Sequence, residues 1–333
     1  MSWKALIIGD LHWTGHQPVA RKDDLRATLW EKLRECWGIA EKHQVDAIIQ
    51  TGDLTHTPHL TLPVLAGLVG VLRRFAPVPI YSVPGNHDAL SPATVGRTPF
   101  GFLRELDLIR DVADRPIYLG GTPPIYITGR AYDADVDSAP EWYAVQEPTI
   151  PRQLRESCAP SLIHIHVAHG MLVDHPRPSR HTLLRDLERV EHLPDVLITG
   201  HDHLGYGIKR VGRTLCINPG ALVRLTAAVE EMERTVQVAL LEIERDRIDA
   251  KLIPLQSAKP ASKVLSREHL EAQAAREARR EEFLELLAAE TQEQVLSLEE
   301  MIRDIARRER IPAEVRDSAL ELIAKAQEEV AAR

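Results

Sequence analysis

The sequence predicts an α/β fold followed by a C-terminal helical extension, and three features predict it. Short β-type runs alternate with amphipathic helical segments from Ala5 to Tyr81. Each of these runs leads into a glycine followed by a side chain able to bind a metal. Beyond about residue 258 strand-forming runs stop, and Ala, Glu and Arg dominate. A strand–helix–strand order implies parallel pairing through right-handed crossovers. The ends of such strands are where α/β sheets place their chemistry.

Ala5 to Ile8 reads as a buried strand ending in Gly9-Asp10-Leu11-His12. From about Asp24 to Lys42, Leu25, Leu29, Leu33 and Trp37 fall on one helical stripe. Asp46 to Gln50 is a second strand and ends in Thr51-Gly52-Asp53-Leu54. Leu62 to Phe75 reads as a second helix despite Gly67 and Gly70. Val78 to Tyr81 is the third strand, opening into Ser82-Val83-Pro84-Gly85-Asn86-His87-Asp88. In that turn Asn86 offers a neutral oxygen to a metal and His87 can exchange a proton near neutral pH. Asp88 is placed to hold the imidazole in orientation.

Ile125 to Thr128 looks like a strand, and Asp133 to Arg152, rich in Pro, Asp and Glu, like a loop. Leu162 to Val167 alternates and gives Ala168-His169-Gly170; Val196 to Thr199 is closed by Gly200-His201-Asp202-His203. The runs 207–211, 214–217, 235–243 and 248–253 are β-branched with short turns, which suggests antiparallel strands. The expected division is a catalytic domain over 1–257 and a helical extension over 258–333. In the extension Ser297 and Glu300 have capping-box form, ahead of a face made by Leu298, Met301, Ile302 and Ile305. Pro312 suits the first turn of a further helix, on which Val315, Ala319, Leu322, Ile323, Ala326 and Val330 form a stripe.

The formal net charge of −8 argues against a generally basic nucleic-acid coat protein. It leaves a phosphodiester substrate open, because bound divalent ions reverse the local sign. Cys36, Cys158 and Cys216 match no metal or redox spacing and read as buried thiols in a reducing compartment. Ala5 to Ile8 is too short for a signal sequence and no run approaches a membrane span. A cytoplasmic location is the expectation.

Collected from the strand ends, Asp10, His12, Asp53, Asn86, His169, His201 and His203 make a mixed nitrogen and oxygen set. Such a set suits zinc, manganese or iron better than calcium or magnesium alone. It exceeds the needs of one tetrahedral ion and suits two divalent ions about 3.5–4 Å apart sharing a carboxylate. Two cations would clamp a phosphoryl group and activate a water for in-line attack, with His87 placed to protonate the leaving oxygen.

These motifs, Gly-Asp-x-His, Gly-Asp, Gly-Asn-His-Asp, a lone His-Gly and Gly-His-x-His, resemble the calcineurin-like metallophosphoesterase superfamily across roughly residues 5 to 220. The resemblance implies a four-layer α/β/β/α metallophosphoesterase sandwich and two metal ions, manganese first among the candidates. It implies one ion on Asp10, His12, Asp53 and His203, and the other on Asp53, Asn86, His169 and His201. Within the superfamily, Gly52-Asp53-Leu54-Thr55-His56 resembles the SbcD-type branch of DNA-repair nucleases, in which a histidine at the place of His56 assists catalysis. The pattern departs from that branch at Thr55, where an aromatic residue is usual, and at Thr57-Pro58-His59, where an Arg-Pro run is usual. Larger relatives carry a DNA-binding cap after the core; here only the helical tail follows Ile253.

The implied activity is metal-dependent hydrolysis of DNA by an exonuclease or endonuclease, with a phosphodiesterase or phosphatase for small nucleotides as the alternative. The tail then has three readings: packing on the core, self-association as a coiled coil, as in a homodimer, or docking on an SbcC-like coiled-coil ATPase. Arg177, Arg180, Arg185, Lys209, Arg210 and Arg224 flank the last two motifs as candidate phosphate contacts, and read equally as surface charge. His16, His59, His164, His166, His175 and His181 lie outside the ligand pattern and read as loop or core histidines.

Overall fold

A computed structural model describes residues 2–145, 162–268, 276–277, 279–280 and 298–331. Two units divide it, 1–267 and 268–333. The first opens with β1 (Trp3–Ile8), α1 (Leu25–His43), β2 (Ala47–Gln50), α2 (Leu62–Leu72), β3 (Ile80–Ser82), α3 (Pro99–Glu105), β4 (Arg110–Asp111), β5 (Ile117–Leu119) and β6 (Ile125–Arg130). It continues with β7 (Ile163–Gly170), β8 (Leu172–Val173), β9 (Thr182–Leu183), β10 (Val196–His201), β11 (Gly207–Val211) and β12 (Thr214–Asn218). The short helix α4 (Val229–Glu233), β13 (Gln237–Ile243), β14 (Ile248–Pro254) and α5 (Ala261–Val264) complete it.

Two six-stranded sheets, β14-β13-β1-β2-β3-β4 and β11-β12-β10-β7-β6-β5, form the centre. β1, β2 and β3 are parallel, with Ile7 beside Ile49 and Ile49 beside Tyr81. Their three following loops therefore leave from one edge of the sheet. Ala5, Ile7, Ile49 and Tyr81 of the first sheet meet Ile127, Ile165, Val167 and Ile198 of the second in a dry core between the sheets. The period-two alternation of strands sends Leu6, Ile8 and Ile48 to the opposite face. There they meet Leu25, Leu29 and Leu33 of α1, Leu68 and Val71 of α2, and Phe100 of α3.

Some elements differ from the sequence reading. β12 pairs antiparallel with β11 but parallel with β10, so it extends the parallel part of the second sheet. β13 does not join its chain neighbours β11 and β12 but crosses to pair antiparallel with β1. The helical end of α2 tightens into a 3₁₀ turn over Arg73–Phe75. Among the described residues the outer face of the second sheet is covered by two 3₁₀ turns, Pro140–Tyr143 and Leu184–Arg189. Trp142, Tyr143, Leu184 and Leu187 bury Ala168, Leu197 and Cys216 there. Cys36 and Cys216 are buried free thiols; Cys158, part of the expected 133–152 loop and Ser297 lie outside the described residues.

Residues 258–267, tail-like in composition, fall in the first unit. Ala261, Val264 and Leu265 are buried, and Lys22 N donates to Val264 O at 2.9 Å, which ties the segment to the loop before α1. The second unit contains α6 (Leu298–Arg308) and α7 (Ala313–Ala331). Met301 and Ile305 of α6 and Val315 and Leu322 of α7 are exposed, whereas Ile323 is buried. No described helix is long and apolar enough to cross a membrane.

Candidate metal centre

The loops after β1, β2 and β3 meet the ends of β7 and β10 at one place. Gly9 and Asp10 follow β1 directly, and Thr51 Oγ1 donates to Asp10 Oδ1 at 2.9 Å. The backbone N–H of His201, from the other sheet, donates to Asp10 Oδ2 at 3.0 Å. His12, Asp53 and His201 all have positive φ, at 47°, 51° and 82°. Non-glycine residues accept that conformation rarely, and it tends to cluster at functional sites.

Two motif glycines are explained by close approach. A Cβ on Gly85 would collide with Asp53 Oδ1 and with the Asp53 backbone nitrogen. A Cβ on Gly200 would stand 2.5 Å from Thr51 O and 2.6 Å from Asp10 Oδ1. These contacts let loops of different strands close on one another without side chains between them.

Two sets of ligating atoms share Asp53. Asp10, His12, Asp53 and His203 form one, with ligating atoms within 4.8 Å of one another; Asp53, His169 and His201 form the other. His12 Nε2 and His203 Nε2 are 2.8 Å apart. Asp53 Oδ2 lies 3.6 Å from His12 Nε2 and 3.4 Å from His169 Nε2. Asn86 Oδ1 is 3.2 Å from His169 Nε2, which brings it beside the second set. Asp53 Oδ1 accepts the N–H of His87 at 2.8 Å, but Oδ2 is buried without a hydrogen-bond partner. A buried, unpartnered carboxylate oxygen is costly. An oxygen so placed between two nitrogen-rich groups fits a pair of divalent cations with Asp53 in common.

The surroundings tune these groups for that task. His169 Nδ1 donates to Thr51 O at 2.9 Å, leaving Nε2 to face Asp53 and Asn86. Burial, with His169 and His203 adding to it against Asp53, pushes His201 down to about 3. Burial likewise pushes His12 well below its ordinary value, against Asp53. Neutral imidazoles are what a metal requires, and His201 and His12 meet that need. At His169 burial lowers the ring but Asp53 and then Asp10 outweigh it and raise it to about 10, so a metal there must displace its proton. Asp53 is raised by burial but lowered more by His169, His12 and His87 together, so it stays ionised.

A third group, His12, His56 and His87, adjoins the first. The His56 and His87 rings stack with centroids 5.0 Å apart, and His56 Nδ1 is 3.3 Å from His12 Nδ1. His87 Nδ1 lies 2.8 Å from the carbonyl oxygen of His56. A carbonyl only accepts, so Nδ1 carries the hydrogen and Nε2 is the free end of the ring.

Asp88 has a different part from the one expected. Its Oδ1 accepts from Thr55 N at 2.8 Å and Thr55 Oγ1 at 3.0 Å; its Oδ2 accepts from Gly85 N at 3.0 Å and Leu54 N at 3.1 Å. Both oxygens are thus engaged in joining the Asp53 and Asn86 loops, and the imidazole of His87 is oriented by His56 O. Arg224 is also corrected: it is buried and donates to Lys259 O and Arg234 O, so it is no surface contact for phosphate. Arg177 and Lys209 face Asp202 and Asp174 at 3.9 Å each, Arg210 donates to Ile248 O, and Arg185 is exposed. His164 and His166 share the hydroxyl of Thr128, 2.7 Å from each. Tyr132, passed over in the sequence, lies 5.4 Å from the His201 ring and 6.3 Å from that of His169. Its only sequence signal is a position just past β6, the strand parallel to β7.

The family model for calcineurin-like phosphoesterases matches residues 4–205, which contain the seven ligand candidates together with His56, His87 and Asp88. The chain belongs to the calcineurin-like phosphoesterase family. Among solved structures it is similar to a dimetal phosphatase from Danio rerio, at 13% identity over 76% of this chain and 96% of that one, with a TM-score of 0.49. It is also similar to the calcineurin-like phosphoesterase YfkN from Bacillus subtilis, at 12% identity over 84% and 97%, with a TM-score of 0.44. A third is a putative 5'-nucleotidase from Staphylococcus aureus, at 15% identity over 76% and 54%, with a TM-score of 0.43. Family membership and the His/Asp clusters make this a metallophosphoesterase with a possible dimetal site.

Proposed function

We propose that the chain is a two-metal phosphodiesterase that hydrolyses DNA, with manganese as its working ion. The observation that carries this reading is the stacked His56–His87 pair beside His12, since a phosphodiester leaving group needs a proton and His87 presents a free Nε2. Asp10, His12, Asp53 and His203 would hold one ion, and Asp53, Asn86, His169 and His201 the other. Bound there, two divalent cations neutralise phosphoryl oxygens and make a water nucleophilic at neutral pH. His56 fixes the His87 ring by its carbonyl and its own stacked imidazole. His87 gives a proton from Nε2 to the departing oxygen. The Asp88 carboxylate keeps the two loops that carry Asp53 and His87 in register. The exposed apolar residues of α6 and α7 support docking of the tail on a coiled-coil ATPase.

One observation favours the second reading, a phosphodiesterase or phosphatase for small nucleotides. The cleft over the site, about 390 Å³, is lined by Asp202, Glu230 and Glu231 together with Met171, Leu204 and Ala228. Asp202 and Glu231 are buried and face Arg177 and Arg234, so Glu230 is the exposed carboxylate of that lining, and it repels a long polyanion more than a single phosphoester. A manganese-dependent assay with single-stranded DNA, duplex ends and cyclic nucleotides tests the choice. DNA cleavage is expected; turnover of cyclic or mononucleotide esters alone would replace the nuclease reading with the second.

A further inference from the structure

Residues 221–224 cross the back of the metal centre as a strap, and four successive carbonyls of it accept from cationic side chains. Arg234 Nη1 donates to Ala221 O at 2.8 Å and Lys32 Nζ to Leu222 O at 2.7 Å. Arg234 Nη2 donates to Val223 O, and Arg21 Nη1 donates to Arg224 O at 3.3 Å. The donors come from three places: the loop before α1, α1 itself and the residue that caps α4. Lys32 is 2% exposed, which is rare for a lysine.

The other side of the strap meets two metal-ligand candidates. Ala221 N donates to His203 O and Leu222 N to Asp10 O, both at 2.9 Å. Gly9, next to Asp10, lies so close to Gly220 O that a Cβ would collide with it. Asp10 and His203 belong to the same ligand set, whereas none of these strap contacts reaches Asn86, His169 or His201. The strap thus joins the Asp10 loop to the loop of His201 and His203, and the two ligand candidates it bonds directly, Asp10 and His203, belong to one set. Among the described residues no backbone N–H donates to the four strap carbonyls, and buried carbonyls hold position only when paired.

We infer that Lys32, Arg21 and Arg234 are positioning residues for the ion held by Asp10, His12, Asp53 and His203, acting through the strap 221–224. The inference rests on the two-metal reading. Groups that orient metal ligands by hydrogen bonds typically contribute 10–100-fold in affinity. Burial of Lys32 first, then Arg21, Arg234 and Arg224, pushes its ammonium down to about 7, while Asp23 opposes this; the buried Glu231 carboxylate, paired with Arg234, faces it as well.

The test is a cobalt(II) titration of the metal-free full-length protein, followed by visible absorption and calorimetry, with melting of the metal-free form alongside. Wild type should bind two ions per chain; fewer than two would refute the two-metal reading itself. Lys32→Met, which deletes the donor to Leu222 O, should bind one ion with wild-type affinity and the other ~10–100-fold more weakly. Its metal-free melting temperature should stay within a few degrees of wild type. Two ions at wild-type affinity would overturn the inference, as would equal weakening of both with a large fall in melting temperature. If Lys32→Met does not fold, Arg234→Lys decides, since it keeps the charge and gives up the paired donors to Ala221 and Val223. Selective weakening of one ion in that variant supports positioning; no weakening, or failure to fold, refutes it.

Discussion

Gly85→Ala would press on the metal centre through a single methyl group. The new Cβ would collide with both Asp53 Oδ1 and the Asp53 backbone nitrogen, while ordinary contact begins at 3.4 Å. Relief cannot come from Asp53 swinging away freely. Its Oδ1 is held by His87 N, its backbone carbonyl accepts from Leu11 N and His12 N, and its φ is already 51°. The carboxylate and its loop must therefore retreat by about 1 Å, and displacements of that size at a reacting centre cost on the order of 10²-fold in rate. Overpacking of this kind costs about 1–3 kcal/mol in stability. Steady-state hydrolysis of a nitrophenyl phosphodiester, metal content after desalting and thermal melting measure the three effects. A variant with two full-strength ions, wild-type turnover and unchanged melting would refute the close-packed account of the Asp53 and Gly85 loops.

Asp53→Asn should lower metal occupancy and abolish hydrolysis, because an amide cannot neutralise two ions from the unpartnered Oδ2 position; two ions with normal turnover, by metal analysis and assay, would remove it as the shared ligand. His87→Ala should retain metal and lose about 10²–10⁴-fold on poor leaving groups but less on a nitrophenyl diester; equal losses would remove it as the general acid. Deletion from residue 268 onward should leave basal metal-dependent hydrolysis and melting intact, because the ligand candidates and both sheets lie in the unit 1–267; loss of metal on deletion would contradict this. The same truncation should abolish co-purification with a coiled-coil ATPase, and continued capture of that partner would place the contact elsewhere.

The sequence by itself determined the parallel strands β1–β3, the helices α1 and α2, and the identity and order of the candidate ligands. The reason is locality. Alternation, helical stripes and a glycine beside each polar strand end are all short-range patterns, and a parallel sheet delivers its loops to one edge. Asp10, Asp53 and His87 could therefore be placed near one another from the strand order alone. Only the tertiary structure decided what each group touches across the chain. Asp88, next to His87 in sequence, is turned by burial toward the amides of Leu54, Thr55 and Gly85, which offer it more hydrogen bonds than one imidazole could. Arg224, on the segment that follows the last ligand motif, is drawn inward, where it donates to the carbonyls of Lys259 and Arg234. Lys32 has a sequence position like any polar residue in a helix, yet its partner, Leu222, is 190 residues away. Pairings of that range follow from which backbone groups are left without partners once the two sheets close, and no local pattern encodes that.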